Sequence, residues 1–264
     1  MSRPRARLMP AAGVGLAAAG AAAYWTMMSP RSQLLGPFPY AADTAEKVVA
    51  LTFDDGPNEP YTGAVADLLR GRGIRATFFQ VGVCVQRWPA STARLAADGH
   101  LVGNHSWSHR FDRCLRVGFM RDEVRRTQDV IEAATGSRPT LYRPPWLVRT
   151  PSLLAMLAAE GLDVRSGEFC HPLEPLQPEA ARIARRVLSS VHPGRVIIFH
   201  DGFDARGGDR AHTVEAVRLV VDRLSGEGWR FATLDEPPFA DGTGRGIPAA
   251  RRETISGGDS PSTS

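Results

Sequence analysis

Short apolar runs alternate with segments of helical period along most of the chain. Strands are predicted over Lys47 to Phe53, Ile74 to Val81, residues 100–105, Leu141 to Arg143, Leu162 to Ser166, residues 195–200 and Trp229 to Thr233. Between them, helices are predicted over Tyr61 to Arg70, Pro89 to Asp98, Phe119 to Ala134, Pro151 to Glu160, Pro178 to Ser190 and Thr213 to Leu224. Gly71, Gly99, Gly136 and Gly161 stand where four of these helices should stop. Strand and helix alternate about seven times, which predicts an α/β fold with a mainly parallel sheet and helices outside it. The strands are short and apolar, as a sheet covered on both faces requires.

In such a sheet the C-terminal strand ends share one face, and that face carries the chemistry. Asp54 and Asp55 follow the first strand, His105 the third, Arg143 the fourth and His200 the sixth. Polar residues spread over about 150 positions are therefore expected to converge.

The flanks read differently. Arg3, Arg5 and Arg7 precede an uncharged stretch from Met9 to Met28, rich in Ala and Gly. This reads as a signal anchor or signal peptide over residues 1–28, with a loose tail as the remaining alternative. The charge placement keeps the arginines in the cytoplasm and the folded part outside the plasma membrane, anchored or secreted. Residues 29–44 read as linker and lead-in, 45–236 as the folded domain, and 237–264, rich in Gly, Ser, Pro and Arg, as a disordered tail.

The net charge of +4 is mild and partly held by the first seven residues. No concentrated basic face or motif speaks for nucleic acid as partner. Cys84, Cys114 and Cys170 form no CxxC pair; an exported chain could pair two of them, or all three could be buried thiols.

His105 and His109 stand four apart, and a helical turn would put both imidazoles on one face. Two histidines with a carboxylate are a common ligand set for a catalytic divalent ion. Neighbouring Asp54 and Asp55 cannot easily point the same way, so one can ligate while the other acts as base. His200 offers a proton to a leaving nitrogen. Each motif alone is weak, since HxxxH recurs by chance and Asp-Asp-Gly makes ordinary turns.

Taken together, "TFDDGP" at 52–57, "HSWSH" at 105–109, "RPPW" at 143–146 and "IIFHDG" at 197–202 resemble the successive motifs of the polysaccharide deacetylases. These are the NodB-homology enzymes, carbohydrate esterase family 4, and the likeness spans roughly residues 45 to 235. It implies a distorted (β/α) barrel of about seven strands. It implies metal-dependent removal of the N-acetyl group from N-acetylglucosamine units of peptidoglycan or a chitin-like glycan. By the same resemblance Asp54 is the general base, Asp55, His105 and His109 hold zinc (or cobalt or nickel), Arg143 positions Asp54, and His200 is the general acid. A backbone N–H near Trp146 would help to stabilise the oxyanion. Trp146 stands where many relatives have Tyr.

One family motif is missing. Its Asp-Trp pair supports the histidine acid, and the nearest match here is Glu168-Phe169. Glu168 is therefore the expected partner of His200, with an ordinary surface glutamate as the rival reading. Hydrolysis of another acyl group, O-acetyl or N-formyl, and an inactive carbohydrate-binding relative remain as alternative functions.

Overall fold

The computed structural model describes residues 9–240; residues 1–8 and 241–264, and the expectations that fall on them, lie outside the described residues. The strands are β1 (Val48–Asp54), β2 (Thr77–Gln80), β3 (Leu101–Asn104), β4 (Leu141–Tyr142), β5 (Asp163–Val164), β6 (Glu168–Phe169), β7 (Arg195–His200) and β8 (Arg230–Phe231). All named pairings are parallel, in the order β5-β4-β3-β2-β1-β7-β6, and β8 pairs with the start of β1. The sheet curls into a distorted, incomplete barrel. The seven expected strands are all present; β6, two residues long, was not anticipated because so short a run carries no period.

The helices are α1 (Met9–Met28), α2 (Tyr61–Arg70), α3 (Gly82–Arg87), α4 (Pro89–Ala97), α5 (Val117–Thr135), α6 (Pro151–Ala159), α7 (Ala180–Ser190) and α8 (Ala211–Gly226). α5 stops at Gly136, whose φ of 74° is left-handed and open to glycine without steric cost. α6 starts on Thr150, whose hydroxyl accepts the Leu153 N–H at 3.2 Å, with Pro151 at the first helical position. Among the described residues no helix is long and apolar enough to cross a membrane.

Every residue of β1 is buried. Alternate side chains go to opposite faces. Val49, Leu51 and Phe53 join Phe78, Phe199, Leu69 and Val220 in the main core, while Val48 and Ala50 join Phe79, Val196 and Leu234. Phe53 stacks between Phe78 and Phe199, with ring centroids at 4.8 and 5.8 Å. Burying each such ring stabilises the fold by about 2–3 kcal/mol. This core fixes the height of the strand ends: Asp54 stands beside Phe79 on one side and His200 on the other.

The sheet is open between β5 and β6, and the segment before β1 crosses that seam. Ser166 donates its N–H to Pro39 O (2.8 Å) and its hydroxyl to Pro30 O (3.0 Å). Phe38 is fully buried against Leu147 and Ile198. Past β8, Phe239 is buried in the second cluster, so ordered packing continues beyond residue 236. Cys84, Cys114 and Cys170 are buried free thiols.

Candidate metal centre and active site

Asp54 is the last residue of β1, and Asp55 has left the strand with a φ of 74°. This left-handed turn, tolerable for Asp, sends the two carboxylates in different directions. The glycines of the two flanking motifs permit it. A Cβ on Gly56 would lie 2.2 Å from Asp201 Oδ2, and one on Gly202 would lie 2.2 Å from Asp55 O. The loops after β1 and β7 interlock where only hydrogen atoms fit.

His105 and His109 share a site, but not by the expected helical turn. The loop from 105 to 110 is irregular, with positive φ at Ser106 and His109. It is tied down instead of wound: Glu123 of α5 accepts the N–H and hydroxyl of Ser108 (2.7 and 2.8 Å), and Asn104 accepts the Ser106 N–H. Trp107 points away from the cleft and lies under Arg126 at 3.9 Å.

Both imidazoles are held at Nδ1. His105 Nδ1 is 2.7 Å from Arg143 O, and His109 Nδ1 is 2.7 Å from Asp204 Oδ1. That leaves Nε2 of each facing Asp55, at 3.3 and 3.1 Å from Oδ1. Ligand atoms of the three residues lie within 4.8 Å of one another, and all three residues are buried. Asp55 Oδ1 is a buried oxygen with no hydrogen-bond donor. A buried anionic oxygen without a donor, faced by two orientated imidazole nitrogens, fits a divalent cation. Burial opposes charge on Asp55, but His109 and His105 outweigh it and hold the carboxyl well below its usual range. Burial likewise disfavours charge on His109, yet Asp55 and Asp204 push its pKa up to about 10. The field that favours a proton there also favours a metal ion. Asp204 also donates its N–H to Asp55 Oδ2 (3.0 Å).

Arg143 is fully buried beside Asp54. It donates to Asp54 Oδ1 and Thr52 Oγ1, both at 2.7 Å, and to Ser166 O at 2.8 Å, with its guanidinium over the Phe79 ring. The guanidinium is itself held on several sides, and one charge-assisted hydrogen bond from Nη1 anchors one oxygen of the carboxylate.

His200 ends β7, and its partner is Glu174. Glu174 Oε2 is 2.7 Å from His200 Nδ1, and Glu174 Oε1 accepts the Thr213 hydroxyl. Burial opposes charge on His200, but Glu174 outweighs it and raises the pKa to about 9. Burial also opposes charge on Glu174; His200, Thr213 and Arg210 nevertheless keep its pKa below the usual value.

The expectation for Glu168 is corrected here. Glu168 pairs in register with Ile197, three positions before His200 on β7, or about 10 Å along the strand. Its carboxylate instead meets Arg195 (3.1 Å), Arg31 (2.8 Å) and His192 (3.5 Å). The signal that could have pointed to Glu174 is faint: an acid between Leu173 and Pro175 in a loop that follows a strand at the site face.

Asp54, Asp55, His105, His109 and His200 line one open cleft, with Trp146 as one wall. The Trp146 ring sits over His109 (centroids 4.1 Å apart), and its backbone is left-handed, φ 51°. His171 also faces the cleft. His100 does not: it accepts the Ala76 N–H and burial lowers its pKa to about 4.

Comparison with known proteins agrees with this geometry. The polysaccharide deacetylase family profile matches residues 41–164. The chain is 33% identical over 194 residues to the peptidoglycan-N-acetylmuramic acid deacetylase PdaC of Bacillus subtilis, covering 74% of this chain but 39% of that protein. It is 30% identical over 192 residues to a peptidoglycan-N-acetylglucosamine deacetylase of Bacillus cereus, covering 72% of this chain and 88% of the relative. The solved structure of Bacillus subtilis PdaC superposes with a TM-score of 0.64 at 30% identity, over 81% of this chain and 93% of that one. The fold and buried Asp-His-His site define a metal-dependent hydrolase of the NodB-homology type. The chain belongs to the polysaccharide deacetylase family, carbohydrate esterase family 4.

Proposed function

We propose that this protein hydrolyses the N-acetyl amide of N-acetylglucosamine units in a peptidoglycan or chitin-like glycan. Water is consumed, the C–N bond breaks, and acetate and the free sugar amine are the products. The observation that carries this reading is the meeting, in one cleft, of a three-ligand cation site with an arginine-held carboxylate and a glutamate-held histidine.

Asp55, His105 and His109 would hold the divalent ion, zinc by the donor set, with cobalt or nickel as substitutes. When bound, that ion supplies a Lewis acid for the amide carbonyl and lowers the pKa of water. Asp54, orientated by Arg143, accepts the proton of the attacking water. His200, kept protonated by Glu174, donates from Nε2 to the leaving nitrogen, which would otherwise depart as a high-energy amide anion. Arg143 and Glu174 are positioning residues; Asp54 and His200 move the protons.

The reading extends to location. Three arginines ahead of the uncharged α1 segment support a catalytic domain outside the cytoplasm.

The test is incubation of the zinc-loaded full chain with an N-acetylglucosamine pentamer and with solubilised peptidoglycan. Mass spectrometry should record acetyl loss from glucosamine units that chelator abolishes. Loss confined to muramic acid would move the substrate to that sugar, and loss of O-acetyl or N-formyl groups alone would overturn the amide assignment.

A further inference from the structure

Arg149 follows the Pro144–Trp146 turn and is fully buried, and among the described residues no acidic side chain pairs with it. Its guanidinium donates to Met27 O (3.2 Å), Ser29 O (3.1 Å), Ser32 O (2.6 Å) and Leu147 O (3.1 Å), and lies over the Phe38 ring at 4.1 Å. Its backbone N–H also goes to Met27 O (3.2 Å). Burial without a counter-charge lowers its pKa to about 10.

Three of those four carbonyls belong to residues 27–32. Lifting that segment would leave the guanidinium with Leu147 O as its one remaining acceptor of the four, a penalised state for a cation in a largely apolar setting. Met27 O lies in the last turn of α1, where a cation also complements the helix dipole. Arg31–Glu168 and Ser166–Pro30 fasten the same segment to the barrel seam. The segment is thus part of the folded domain.

The fastening has a consequence at the cleft. Tyr24, one turn before Met27, lines the same cleft as Asp54, His200 and Trp146, and 61% of its surface remains free. An exposed phenol ring at the mouth of a glycan site can stack on the C–H face of a pyranose and hydrogen-bond a sugar hydroxyl. We propose that Tyr24 is a specificity-determining wall of the glycan cleft, set in place by the Arg149-held segment 27–32. This rests on the glycan reading above.

Hydrogen exchange on the zinc-loaded full chain in detergent, with and without the N-acetylglucosamine pentamer, tests it. Amides within residues 24–32 should exchange slowly and slow further with pentamer. Arg149→Gln should speed them about tenfold or more while residues 195–200 keep their protection. Tyr24→Ala should raise KM for the pentamer about fivefold with kcat within about twofold, and Tyr24→Phe should restore most of the loss. This second variant decides the matter if Arg149→Gln does not fold. Free-chain exchange of residues 24–32 in the wild type overturns the proposal. So does pentamer protection around residues 105–109 and 144–147 that leaves 24–32 untouched, or an unchanged KM in Tyr24→Ala. A pentamer that slows no amide and is not hydrolysed overturns the deacetylase reading and Tyr24 as a glycan contact together. The Arg149 comparison still decides separately whether the segment is built into the domain.

Discussion

Glu174 Oε2 lies 2.7 Å from His200 Nδ1, in a pocket where the glutamate is entirely buried. The pair holds the histidine in one tautomer, with Nε2 left for substrate, and it stabilises the imidazolium. The proposed chemistry uses the protonated form. Because the folded pKa is raised to about 9, activity should persist below that pH and fall as pH rises through it. Glu174→Gln should pull this alkaline limb down towards the ordinary histidine value and cost roughly 10-fold or more in kcat at about pH 8. A pH–rate profile whose alkaline limb stays in place would remove Glu174 from this role.

Glu168→Gln should behave differently. Glu168 neutralises Arg195, which is almost wholly buried, and meets Arg31 at the seam. Removing its charge should cost about 3 kcal/mol of stability while kcat of the folded enzyme and its pH profile change little. Thermal unfolding and a pH profile on the same preparation separate the two glutamates.

Asp54→Asn should keep the ligand set intact yet lower kcat by about 100-fold or more, since an amide cannot take the water proton. Zinc content by elemental analysis should remain at the wild-type level. A variant that loses metal along with activity would place Asp54 among the ligands.

His109→Ala and Asp55→Ala should each abolish tight zinc binding, read by calorimetry on the apo protein. Zinc should raise the melting temperature of the wild type, because a ligand that binds only the folded state stabilises it. It should leave that of both variants unmoved.

Much of the site was legible because strand ends in a parallel sheet obey a simple rule. Asp54, Asp55, His105, Arg143 and His200 each follow an apolar run, and the structure brings all five to one end of the barrel. The pairing of His105 with His109 was anticipated for a helical turn; tethering by Glu123 and Asn104 achieves the same end with left-handed residues. Spacing alone does not distinguish these two routes.

The sequence by itself determined the alternation, the core strands and the chemical groups at the strand ends, because period and residue type are local properties that survive any packing. Only the tertiary structure decided which glutamate reaches His200. Glu168 and Glu174 are chemically alike and six residues apart, and the register of β6 against Ile197 carries one away while the loop returns the other. It likewise brought three backbone carbonyls of residues 27–32 to a buried guanidinium 117 to 122 positions away. Contacts at such separation depend on where the chain crosses itself, and a hydrogen bond to a backbone carbonyl leaves no mark on the identity of the residue that supplies it.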